Sequence, residues 1–161
     1  METNFRIRPA REDEAKTVYD FICKIAEYEK MSDEVEATPE SVHQTVFVEK
    51  SAEVVFAEEN GEIIGFALYF HNYSTFVGHK GLYLEDLFVI PEKRGKGYGK
   101  ALLKYLANLA VERGCGRMEW VCLNWNEPSI AFYKSIGAIP MSEWTTYRLT
   151  ANRLKEFAAE K

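Results

Sequence analysis

Phe5-Arg6-Ile7-Arg8 alternates apolar and polar positions, which predicts a short first strand ending at Pro9. Ala15, Val18, Tyr19, Ile22, Ile25 and Ala26 then recur at helical spacing, predicting an amphipathic helix over about 12–30. The polar, acidic residues 31–37 read as a loop. Thr38-Pro39-Glu40 carries a capping hydroxyl, a first-turn proline and an acid at the positive end of the dipole, so a second helix is expected to about residue 49. Apolar strands follow at 54–57 and 63–73, joined through Asn60-Gly61, a strong hairpin signal. A looser segment, 77–80, leads into an apolar strand at 82–90. Beyond Pro91 a glycine-rich basic loop opens a helix over 99–113 that Gly114 stops. The remainder reads as a strand at 118–123, a helix from Glu127 closed by Gly137, two short strands at 139–144 and 146–149, and a last helix after Thr150.

Strands that begin as hairpins and continue through crossover helices predict one α/β domain over 1–161, with a mixed central sheet flanked by helices. A length of 161 residues with 47% hydrophobic positions is enough for a core of its own. No apolar run reaches bilayer length, and Met1 to Arg8 lacks the apolar centre of a secretory leader, so a cytoplasmic protein is expected. Cys23, Cys115 and Cys122 are scattered and odd in number, and His43, His71 and His79 show no ligand spacing; neither disulfides nor a metal are expected. The net charge of −5 argues against nucleic acid as the main partner and is compatible with a cationic small molecule.

Against that acidic background, Glu92-Lys93-Arg94-Gly95-Lys96-Gly97-Tyr98-Gly99-Lys100 concentrates four cations between a buried strand and a helix start. Alternate glycines let the backbone turn tightly and aim successive N–H groups one way, and the helix dipole adds positive potential. An anion, and a pyrophosphate in particular, fits this combination. The spacing excludes two other phosphate loops. Ala101 follows Gly99-Lys100 where a Walker A loop needs Ser or Thr, and the glycines give G-x-G-x-G rather than a dinucleotide fingerprint.

Arg94 to Gly99 is similar to the R/Q-x-x-G-x-G/A motif of the GNAT acetyltransferases. Other segments resemble the spermidine/spermine (diamine) N-acetyltransferases of that superfamily: Leu82-Tyr83-Leu84-Glu85-Asp86-Leu87-Phe88-Val89, Trp125-Asn126-Glu127-Pro128-Ser129-Ile130-Ala131-Phe132-Tyr133-Lys134, Ala26-Glu27-Tyr28-Glu29-Lys30-Met31 and Ile7-Arg8-Pro9-Ala10. Together they span nearly the whole chain. The resemblance implies a GNAT fold and acetyl transfer from acetyl-CoA to a small amine, by a homodimer with active sites near the interface. It places coenzyme A on Arg94, Gly95, Lys96, Gly97, Tyr98, Gly99 and Lys100, on Asn126, Ser129 and Tyr133, and on the backbone of Leu87, Phe88 and Val89. It implies Tyr133 as general acid, Glu85 as the group that binds the amine and accepts its proton, Asp86 as an orienting group, and Tyr28 and Glu29 as substrate contacts.

Chemistry accounts for such residues. A primary amine of pKa about 10.4 is neutral in roughly one molecule in 2,500 near pH 7, so a proton acceptor is useful. Glu85 and Asp86 are adjacent carboxylates in an apolar strand, and strict alternation would send them to opposite faces. Near the C-terminus, Thr145 stands where the resemblance places a substrate-binding acid, so the amine stays open among polyamines, diamines, thialysine and amino acids. Two further readings stay open: acetylation of a protein N-terminus or lysine, and a CoA-binding regulatory module without turnover.

Overall fold

The computed structural model describes residues 4–161; the first three positions, part of the stretch read as lacking a leader, lie outside the described residues. The chain divides into two compact units, 1–121 and 122–161.

The first unit holds a five-stranded sheet in the order β1-β2-β3-β4-β5: β1 (Phe5–Pro9), β2 (Glu53–Glu59), β3 (Glu62–Ser74), β4 (His79–Val89) and β5 (Met118–Trp120). The first four strands are antiparallel, and β5 joins parallel to β4. The expected hairpin is present, with both Asn60 and Gly61 at positive φ as a tight two-residue turn requires. A parallel neighbour needs a crossover, and α3 (Tyr98–Glu112) supplies it, burying Leu102, Leu103, Leu106 and Ala110.

The predicted first helix begins as a 3-10 turn (Glu12–Glu14) and becomes α1 (Ala15–Tyr28). Arg8 of β1 reaches Glu14 through two bonds of 2.8 and 2.7 Å and Glu58 of β2 at 2.7 Å, tying the helix start to the sheet. Phe21 of α1 packs on Phe56, Phe66 and Phe88 of three successive strands, with ring centroids 5.1 to 6.4 Å apart. This aromatic cluster fixes the end of α1 against the end of β4, where the candidate residues lie. The second predicted helix is α2 (Pro39–Val42), with Thr38 capping Ser41 N–H, and it runs on as a π-helix (His43–Val48).

The second unit contains α4 (Glu127–Ser135) and α5 (Ala151–Ala159). The two strands expected at 139–144 and 146–149 are not formed, and the strand expected at 118–123 stops at Trp120. Alternation supplies only one half of a strand; the other half is a partner edge, and 139–149 has none among the described residues. Ile139, Met141, Trp144 and Tyr147 are consequently exposed within this chain.

Candidate active site

Gly95 and Gly97 both adopt φ +83°, a left-handed conformation that side chains resist, and a Cβ at either would meet nothing within 4 Å. The space above the loop is open. Gly97 is the N-cap of α3 and has no side chain to satisfy the first N–H groups of the helix, which therefore remain free for an anion. Lys100 is exposed in the first turn of α3, where its charge adds to that potential. This cradle fits a pyrophosphate.

The cationic side chains of the loop are arranged differently from the expectation. Lys93 donates to the buried Glu59 at 2.6 Å, Lys96 lies 3.6 Å from the same carboxylate, and Tyr98 donates its O–H to it. Tyr98 thus turns its hydroxyl toward the sheet and offers an anion its backbone, while the half-exposed Lys96 lies at the edge of the same carboxylate. Arg94 donates Nε to Val89 O at 2.8 Å, and its guanidinium lies 5.2 Å from the Tyr28 ring and 4.9 Å from Phe88. It closes one wall of a concave site of about 340 Å³ that Lys24, Glu27, Tyr28, Phe88 and Pro91 also line. Arg94 therefore bridges the loop and the end of α1, a role its position in the motif did not suggest.

The β3–β4 register shifts between Leu68 and Tyr69: Leu68 faces Asp86 and Tyr69 faces Leu84. Glu85 is the extra residue of a β-bulge, which breaks alternation. The two carboxylates are consequently not isolated on opposite faces, as strict alternation had required. Burial, then the charge of Glu85, then that of Glu29 push Asp86 up to about 7. Burial first and Glu85 second also raise Glu29, at the C-cap of α1. Three acids from two elements share one field, beside the Tyr28 ring that meets Phe88 edge-on at 6.5 Å. A bound ammonium group would relieve their mutual repulsion.

The β4–β5 ladder covers only Leu82–Leu84, so Leu87, Phe88 and Val89 pair with β3 and have no β5 residue opposite them. Ile90 and Phe88 turn their backbone groups toward β3, so those of Leu87 and Val89 face outward; Leu87 can meet an extended ligand, and Val89 O accepts from Arg94. Asn126, Ser129 and Tyr133 lie in the second unit, Asn126 as the N-cap of α4 and the other two within that helix. No side-chain bond caps the first turn of α4.

Asp86 has a consequence for stability. Its native pKa of about 7 exceeds the ordinary 3.8, so between those values the folded state keeps a proton that the unfolded chain loses. Its contribution to stability is present at low pH and falls as pH rises through this window. Asp86→Asn is expected to raise Tm more at pH 8 than at pH 5; an equal shift at both would show that the carboxyl is not held up by its surroundings.

Comparisons with known proteins identify the family. Residues 15–138 match the Acetyltransferase (GNAT) family. A thialysine N-epsilon-acetyltransferase of Bos taurus is 34% identical, over 96% of this chain and 97% of the relative. One from Caenorhabditis elegans is 33% identical, over 98% and 99%. Among solved structures, an integron cassette protein from the mobile metagenome of V. cholerae superposes with a TM-score of 0.81 at 28% identity, over 97% of this chain and 98% of that one. With a family match over residues 15–138 and similarity along nearly its full length, the chain belongs to the GNAT family and is an acetyl-CoA-dependent acetyltransferase.

Proposed function

We propose that the two units act as one N-acetyltransferase domain that moves the acetyl group of acetyl-CoA to a primary amine of a small diamine, polyamine or thialysine-like amino acid. The observation that carries the substrate class is the group of Glu29, Glu85 and Asp86 next to Tyr28, an acidic and aromatic setting suited to a cation. The thialysine acetyltransferases similar to this chain, and an L-ornithine N5-acetyltransferase of Arabidopsis thaliana that is 43% identical over 58% of it, support an amine carrying a second charged group.

In this reading the loop from Arg94 to Lys100 holds the pyrophosphate, chiefly through the N–H groups at Gly95, Gly97 and Gly99. Backbone groups of Leu87 and Val89 hold the arm of the cofactor, and Asn126 and Ser129 contact it further along. Acetyl-CoA supplies the acetyl group as a thioester, activated toward attack. Glu85, exposed at the bulge, draws the ammonium group in and takes its proton. Asp86 orients it, and with a pKa near ambient pH it is also suited to pass that proton on. Tyr133 would give its phenolic proton to the sulfur as it departs and recover one from the attacking nitrogen, which loses its second proton as the amide forms. Tyr28 and Glu29 hold the second charged end of the substrate.

Glu85→Gln is expected to lose most activity near pH 7, with the defect shrinking as pH rises because neutral amine becomes more abundant. A pH–rate profile of both proteins checks this; a defect constant with pH would mean that Glu85 positions the amine without accepting its proton.

The working form in this reading is a homodimer in the cytoplasm. Ile139, Met141, Trp144 and Tyr147, exposed on the second unit, support an interface, and the scattered, odd-numbered cysteines Cys23, Cys115 and Cys122 support a reducing compartment. Light scattering at micromolar concentration is expected to give twice the mass of one chain; a monomer would count against the dimer.

A further inference from the structure

The loop has an unusual foundation. Gly95 and Gly97 sit at positive φ with open space around them, so side-chain packing does not hold the arch between them. A single carboxylate meets the residues on either side of those glycines. Glu59 ends β2 just before the hairpin turn and is 6% exposed. It accepts from Lys93 at 2.6 Å and from the Tyr98 hydroxyl, and it pairs with Lys96 at 3.6 Å. A buried carboxylate in a strand is costly without partners, and every partner found here comes from the loop. Phe5 of β1 lies directly across from Glu59 in the sheet. Cross-strand neighbours share a face, and the Tyr98 ring stacks on Phe5 at 4.4 Å with the planes 3° apart. Phe5 and Glu59 thus form a two-residue seat, apolar and anionic, matched to the ring and the hydroxyl of the first residue of α3.

We infer that Glu59 is a positioning residue for cofactor binding: with Phe5 it seats Tyr98, Lys93 and Lys96, and so fixes the glycine arch and the first N–H groups of α3 in the anion-binding arrangement before the pyrophosphate arrives. This rests on the reading of the loop as the pyrophosphate site. The same arrangement gives Lys93 and Lys96 a local task. Glu59 offsets one of their two charges, so oriented N–H groups, the helix dipole and Lys100 carry more of the attraction for the cofactor. An arch ordered in advance loses less freedom on binding, and its loss appears as weaker affinity for the cofactor alone.

The test is steady-state kinetics with both substrates varied, together with calorimetry of acetyl-CoA binding and a melting curve, on Glu59→Ala, Glu59→Gln, Tyr98→Phe, Glu59→Ala/Tyr98→Phe and Gly97→Val. Glu59→Ala is expected to raise the KM and Kd for acetyl-CoA about tenfold, as loss of preorganisation does, while the KM of the amine moves less than about twofold. Tyr98→Phe is expected to raise the acetyl-CoA KM about threefold alone and to add nothing in the double variant, since residues acting through one contact are not additive. Glu59→Gln, which keeps the shape and an acceptor for Tyr98, is expected to fall between parent and Glu59→Ala. A lower Tm with unchanged acetyl-CoA constants would make Glu59 a purely structural residue and overturn the inference. If Glu59→Ala does not fold, unchanged constants in both Glu59→Gln and Tyr98→Phe overturn it equally. Unchanged binding in Gly97→Val would instead show that the loop is not the pyrophosphate site, a failure of the underlying reading that takes this inference with it.

Discussion

Gly97→Val is expected to abolish detectable acetyl-CoA binding at concentrations that saturate the parent. Two physical effects act together. Gly97 sits at φ +83°, where a β-branched residue is a strong outlier, so valine forces the arch toward another conformation. Its side chain would also project into space that is open here, which the pyrophosphate needs. Because nothing within 4 Å clashes with a Cβ at this position, packing is not the source of the effect. The melting temperature should therefore fall modestly while affinity collapses. Gly97→Ala, with the smaller side chain, is expected to lie between. Calorimetry checks both; a valine variant that binds as tightly as the parent would refute the loop assignment.

Tyr133→Phe is expected to lower kcat about ten- to a thousand-fold, within or slightly below the usual range for general acid catalysis. Phenylalanine keeps the ring and removes the proton that the departing sulfur would take. The conjugate acid of that sulfur resembles a free thiol of pKa about 8.5, so unassisted departure remains possible and the loss is not total. The defect should be largest at low pH, where an unprotonated thiolate is the poorer product. Rapid-quench measurement of the acetylated amine separates chemistry from product release. An unchanged chemical rate would remove Tyr133 from the mechanism.

Much of this fold was legible because local signals and burial agree. Helical spacing gave α1 and α3 to within a few residues, and Asn60-Gly61 gave the first long hairpin. The glycine-rich loop was legible because backbone conformation, charge and position before a helix coincide. What was not legible depends on partners distant in sequence. The bulge at Glu85 arises from how β4 registers against β3, and no pattern within β4 announces it. Glu58 and Glu59 fall beyond the strand expected at 54–57, yet they end β2, both buried beneath cations from β1 and from the loop. The adjacent acids closing an otherwise apolar strand were the available signal. Arg94 is assigned by motif to the anion, and its further contacts, with Val89 O and two aromatic rings, were not legible in the motif. The residues 139–149 carry strand-like alternation and form no strand, because an edge to pair with is a tertiary property.

The central claim is acetyl transfer from acetyl-CoA to a small amine that carries a second charged group. The measurement that tests it most directly is the initial rate of thiol release from acetyl-CoA with thialysine, ornithine, a diamine and a chain-length-matched monoamine, with mass spectrometry of the products. Thiol release is expected to equal N-acetylated product, with a lower KM for the doubly charged amines than for the monoamine and a smaller advantage as salt is added. Release no faster than hydrolysis of acetyl-CoA with every amine, or equal KM for diamine and monoamine, would contradict it.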